Sequence, residues 1–138
     1  MNKIAVIYWS GTGNTQAMAE AVAEGAKTAG AQADLLTCAE AGDISAYDAV
    51  ALGCPAMGAE ELEDNEFLPM LERIEPDLIG KKAALFGSYG WGDGEWMRAW
   101  EARCAEKGIT LAADSVTVNE APDKDGIARC KALGAALA

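Results

Sequence analysis

Apolar and polar positions follow two alternating rhythms along this chain. Short unbroken apolar runs come at residues 4–8, 49–54 and 83–86. Each is too short for a helix and is bounded by glycine or proline, which predicts strands covered on both faces. A weaker strand is expected at 33–37 and a fifth at 109–118, with a bend around Ala113-Asp114. Between them the period lengthens to that of a helix. Met18, Val22 and Ala26 recur every four residues, so a helix should begin at Asn14 or Thr15 and end at Gly30. Phe67, Leu68, Leu71 and Ile74 predict a short helix with Pro69 in its first turn, where a missing N–H costs nothing. Trp96, Trp100 and Cys104 share one face of a helix closed by Gly108, and Ile127, Cys130, Leu133 and Leu137 mark the last. Strands alternating with helices imply an α/β fold: a five-stranded parallel sheet with right-handed crossovers and helices on both faces. Such sheets bind ligands beyond the carboxyl ends of their strands.

Three loops leave those ends. The first is Ser10-Gly11-Thr12-Gly13-Asn14-Thr15. Its glycines let backbone N–H groups approach an anion, its hydroxyls and amide add donors, and a helix N-terminus follows: a phosphate cradle. It has no lysine where a nucleoside-triphosphate loop needs one, and Gln16 stands where a dinucleotide fingerprint needs its third glycine. That leaves one phosphate monoester held by neutral donors. The second loop is Pro55-Ala56-Met57-Gly58-Ala59-Glu60, and the third is Gly87-Ser88-Tyr89-Gly90-Trp91-Gly92-Asp93-Gly94. Trp91, between glycines, suits stacking on a planar ligand, with Met57 offering an opposite apolar face. Trp96 and Trp100, at helical spacing, read as packing residues. One phosphate plus an aromatic sandwich describes a flat heterocycle with a single phosphate, a shape that flavin mononucleotide (FMN) fits.

Composition narrows the chemistry. The 138 residues predict one domain over 1–138, and 51% hydrophobic content supports a real core. The net charge of −11 opposes nucleic acid and anionic membranes as partners. With no histidine, a Ser-His-Asp triad, a Cys-His pair and a histidine zinc site are excluded. Cys38, Cys54, Cys104 and Cys130 form no C-x-x-C pair and are expected as free buried thiols. The first apolar run is too short for a signal peptide and no run could span a bilayer, so a cytoplasmic protein is expected.

Tyr8-Trp9-Ser10-Gly11-Thr12-Gly13-Asn14-Thr15, Gly53-Cys54-Pro55-Ala56-Met57-Gly58, Glu60-Glu61-Leu62-Glu63 and Phe86-Gly87-Ser88-Tyr89-Gly90-Trp91-Gly92 together resemble the short-chain flavodoxins of anaerobic bacteria. The resemblance covers essentially the whole chain. It implies the sheet order 2-1-3-4-5 and a non-covalent FMN used as a low-potential one-electron carrier between redox enzymes, without a substrate reaction of its own. It further implies that Ser10, Thr12, Asn14 and Thr15, with the amides of Gly11 and Gly13, hold the phosphate. Met57 and Trp91 would flank the ring, within walls formed by Pro55 to Glu60 and Ser88 to Gly92. Glu60 would meet the pyrimidine side. The Met57-Gly58 peptide would turn on reduction and accept from flavin N5–H, helping the neutral semiquinone. Ala59, where the family often has Asp or Ser, removes an acceptor from that turn.

Glu60, Glu61, Glu63, Asp64 and Glu66 then form an acidic face beside the ring. That face would steer a monomeric carrier to basic redox partners and make the second electron strongly reducing. Two other classes share the sheet. An FMN-dependent quinone or nitro reductase would need a substrate pocket over the flavin. A phosphoryl-receiver domain would need acids where Tyr8-Trp9-Ser10 and Gly53-Cys54-Pro55 stand.

Overall fold

The apolar runs become the centre of one parallel sheet in the computed structural model, which describes residues 2–138. Its strands are β1 (Lys3–Tyr8), β2 (Gln32–Thr37), β3 (Ala49–Gly53), β4 (Lys82–Tyr89), β5 (Thr110–Leu111) and β6 (Val116–Asn119). The order is β2-β1-β3-β4-β5, as expected, with β6 also paired to β4. The fifth place is therefore shared, which corrects the expectation of one strand over 109–118. β5 pairs with Lys82 and Ala83, Ala112 N donates to Ala83 O (2.8 Å), and the chain returns as β6 opposite Phe86 to Tyr89. The bend falls where Ala113-Asp114 predicted it.

β4 is longer than its apolar run. Gly87, Ser88 and Tyr89, expected as loop, continue the strand because Thr117, Val118 and Asn119 give them a partner. Gly87 fits there because the Cys54 carbonyl fills the space of a side chain.

Four helices cover the sheet: α1 (Asn14–Thr28), α2 (Phe67–Leu78), α3 (Glu95–Glu106) and α4 (Lys124–Leu137). Alternate strand residues face opposite layers. Ile4, Val6, Ala51 and Phe86 pack with Met18 and Val22 of α1 and Cys130 and Leu133 of α4. Ala5, Ile7, Leu52 and Leu85 pack with Phe67 and Ile74 of α2 and Trp96 and Trp100 of α3. Asp123 caps α4 by accepting from Gly126 N (2.8 Å).

The two layers are joined differently. In the first, a side chain at Gly25 would strike the Lys131 carbonyl and one at Gly134 the Val22 carbonyl, so α1 and α4 meet backbone to backbone. In the second, the buried Glu75 of α2 takes both prongs of Arg103 of α3 (2.7 Å each), and Lys107 approaches to 3.8 Å. No helix among the described residues is long and apolar enough to cross a membrane.

Candidate cofactor site

The three loops meet around a cavity of about 410 Å³ beyond the carboxyl ends of the strands. Of the residues singled out from sequence, Gly11, Thr12, Asn14, Pro55, Ala56, Met57, Ser88, Tyr89 and Gly90 line it. Trp9 and Glu120 line it too, and neither was among the expected site residues. Trp9 was legible as an aromatic at the end of a strand. Glu120, after β6, had no motif around it to mark it.

The cradle end is built for an anion. Gly13 sits at φ 96°, a left-handed conformation that suits glycine, and starts α1 without any side-chain cap. Among the described residues the N–H groups of Asn14, Thr15 and Gln16 find no acceptor. Ser10 Oγ accepts from Gly13 N (3.0 Å) and shapes the turn. Thr15 is 1% exposed, and its hydroxyl is buried with no hydrogen-bond partner. A buried hydroxyl beside uncapped helix N–H groups lacks only an acceptor. A phosphate monoester supplies one, so these residues fit the phosphate of FMN.

The second loop closes on itself. Met57 N donates to Glu61 O (2.8 Å) and Glu61 N to Met57 O (2.9 Å). Gly58 (φ 50°) and Glu60 (φ 56°) turn left-handed between them. The Met57-Gly58 peptide is the one expected to turn on reduction. The carbonyl of the Met57-Gly58 peptide is already engaged, whereas the Gly58-Ala59 peptide makes no hydrogen bond among the described residues. Gly58 and Ala59 are exposed and lie outside the cavity wall.

Glu60, expected at the pyrimidine side of the ring, joins two of the loops. Its Oε1 accepts from Gly94 N (3.2 Å) and Glu95 N (3.1 Å), so it caps α3 and ties the second loop to the third. Glu63 is a second correction. It is 6% exposed and does not belong to an acidic face. Its carboxylate accepts from Asn65 N, Glu66 N and Phe67 N at 2.7–3.0 Å, opening α2. Burial pushes the Glu63 carboxyl up, but those three N–H bonds outweigh it and hold it below the usual carboxylate range. Glu61, Asp64 and Glu66 remain exposed, Glu66 accepting from Trp9 Nε1 (3.4 Å).

In the third loop Ser88 is buried and donates to Glu120 O (2.6 Å), so its proton is committed to the protein. Trp91 is 65% exposed and, with Gly92, stands outside the cavity wall beside Gly90. Trp96 and Trp100 are core residues, as their spacing predicted, and Trp96 Nε1 donates to Cys54 O (3.1 Å) to anchor the start of the second loop. The four cysteines are free and buried. Burial pushes the Cys54 thiol up to about 12 and those of Cys104 and Cys130 to about 11, so none is a thiolate nucleophile at neutral pH.

Sheet order, uncapped cradle and apolar-walled cavity define a doubly wound α/β protein that holds a phosphorylated planar cofactor at its switch point. The sequence model of the family described as Flavodoxin matches residues 6–134. The chain is 46% identical over 137 residues to the flavodoxin of Megasphaera elsdenii, covering 98% of each chain. It is 43% identical over 121 residues to that of Clostridium beijerinckii, covering 86% of this chain and 88% of the relative. The solution structure of two-electron reduced Megasphaera elsdenii flavodoxin superposes with a TM-score of 0.88 over 97% of each chain. The chain belongs to the flavodoxin family, and is an FMN-binding electron carrier rather than an enzyme with a substrate of its own.

Proposed function

We propose that this chain carries one electron at a time, at low potential, between redox enzymes in the cytoplasm, as a monomer with one FMN site. The observation that carries the reading is the orphaned Thr15 hydroxyl beside the uncapped start of α1. Thr15, Thr12, Asn14 and Ser10, with the backbone N–H groups of the turn, hold the phosphate. Met57, Tyr89 and Gly90 wall the ring, and the exposed Trp91 swings over it as the outer face. Pro55 and Ala56 complete the floor, with Ala56 N fixed by Ser88 O (3.0 Å). When bound, FMN supplies the redox chemistry. The protein excludes water from its ring and offers the unbonded Gly58-Ala59 peptide as a hydrogen-bonding group beside it. Exposed Glu61, Asp64 and Glu66 form the face that meets basic partners.

The test is a visible absorption spectrum of purified protein and an FMN titration of the apoprotein. A yellow protein with one tight site is expected, with Thr15→Val binding FMN at least about tenfold more weakly for loss of a charge-assisted bond. A colourless protein that cannot be reconstituted overturns the reading.

A further inference from the structure

We infer that a groove between the second loop and α3 grips an apolar residue flanked by lysine or arginine on a redox partner protein. The inference rests on the reading of this chain as a carrier that must meet such proteins. The groove has a volume of about 420 Å³ and shares no residue with the wall of the cofactor cavity. Its apolar floor is Leu62, Leu68, Trp96, Ala99 and Trp100. Leu62 and Leu68 are only partly buried and Ala99 is exposed, so the floor is open to solvent.

One donor in that floor is unspent. Trp100 is 2% exposed, and its indole N–H finds no acceptor. The neighbouring Trp96 gives its own N–H to Cys54 O (3.1 Å). Phe67 stands nearly perpendicular to the Trp100 ring, 5.5 Å away between centroids, and offers no lone pair. A buried donor left unbonded is costly, and an incoming carbonyl relieves it. The rim selects charge. Glu60, Glu61, Asp64 and Glu106 stand around the groove, and its one cation, Arg103, gives two N–H groups to Glu75 (2.7 Å each). An occupant must therefore bring an acceptor, an apolar body and positive charge together. A peptide segment does so, with a backbone carbonyl for Trp100, an aliphatic side chain for the floor and lysine or arginine for the rim. A second copy of this chain, at −11, is repelled by the same rim. Glu60 borders the groove while its Oε1 holds the start of α3 to the second loop, so a partner gripped here is held beside the cofactor cavity.

The probe is a blocked pentapeptide with leucine at its centre and lysine on either side. It is titrated into FMN-loaded protein at low salt and followed by the indole N–H signals in NMR. The Trp100 signal, assigned through its proximity to Phe67, should move downfield as the peptide binds, while that of the exposed Trp91 stays. Replacing the central leucine by serine should weaken binding at least about tenfold, the value of one aliphatic side chain taken out of water. Ala99→Phe fills the groove from an exposed position on α3. It should weaken the leucine peptide by a similar factor and leave FMN affinity and melting temperature unchanged. Leucine and serine peptides that bind alike, or an Ala99→Phe protein that keeps wild-type affinity, reduce the attraction to charge alone and overturn the inference. Peptide binding that leaves the Trp100 signal in place overturns it too. So does a wild-type protein that binds FMN and no peptide, an outcome that spares the carrier reading. Dimerisation that Ala99→Phe abolishes gives the groove to a second copy and also overturns it. A wild-type chain that takes up no FMN overturns both.

Discussion

Glu63 shows how a residue can be acidic, buried and stabilising at once. Three N–H groups at the start of α2 converge on its carboxylate and hold its pKa down despite burial. A carboxyl depressed on folding stabilises the native state above its unfolded value near ~4.3, and that contribution is lost as pH falls through the lower folded value. Glu63→Gln should therefore cost about 1–2 kcal/mol at neutral pH and flatten the loss of apoprotein stability below pH ~4, read by denaturant titration across pH. Trp91 and Trp96 make a contrasting pair. Trp96→Ala should cost about 3–5 kcal/mol of apoprotein stability, because it empties a core site and frees the Cys54 carbonyl. Trp91→Ala should leave apoprotein stability nearly unchanged and weaken FMN binding. Equal effects of both variants on both measurements would mean the stacking residue is wrongly assigned. At this scale spacing told the two tryptophans apart, and the hydroxyl-rich turn pointed to Thr15. It could not separate Glu63 and Glu60 from their acidic neighbours, because which carboxylate reaches a helix N-terminus depends on how the second loop folds back. Glu120 was hidden for the same kind of reason: its place on the cavity wall follows from the pairing of β6 with β4.

At the scale of elements, the two helix layers fail in different ways when disturbed. Gly25 lets α1 lie against the α4 backbone, and the Lys131 carbonyl already occupies the space of its missing side chain. Gly25→Ala should destabilise by at least about 2 kcal/mol, since backbone cannot yield as a side-chain tip can. Gly42→Ala, where nothing lies within 4 Å, should stay within about 0.5 kcal/mol of wild type. Chemical denaturation of the two variants checks the contrast. Every helix was legible from its apolar period, and the three unbroken runs were legible as central strands because burial on both faces leaves no polar positions. What periodicity missed was β4 beyond Phe86 and the division between β5 and β6. Gly87-Ser88-Tyr89 has the composition of a turn and becomes strand only because another segment hydrogen-bonds it.

At the scale of the molecule, the charge of −11 is spread over acids that mostly face solvent. Association with a basic redox protein should slow as ionic strength rises, and Asp64→Lys should slow it further at low salt, both read by stopped-flow mixing. A rate indifferent to salt would remove the acidic face from partner choice. Charge near the site should also place the second reduction step below that of free FMN, which a redox titration reads directly. The interruption at residues 112–115 carries a last consequence, for solubility. A sheet that ended in one long straight strand would offer neighbouring molecules a continuous row of unpaired backbone groups. Here β5 offers two residues, residues 112–115 belong to no strand, and β6 offers four. A strand of ordinary length from another copy finds no register it can follow along that margin. Of the sheet's two open borders, this one is thus broken by the path of the backbone, while β2 leaves the other at six residues.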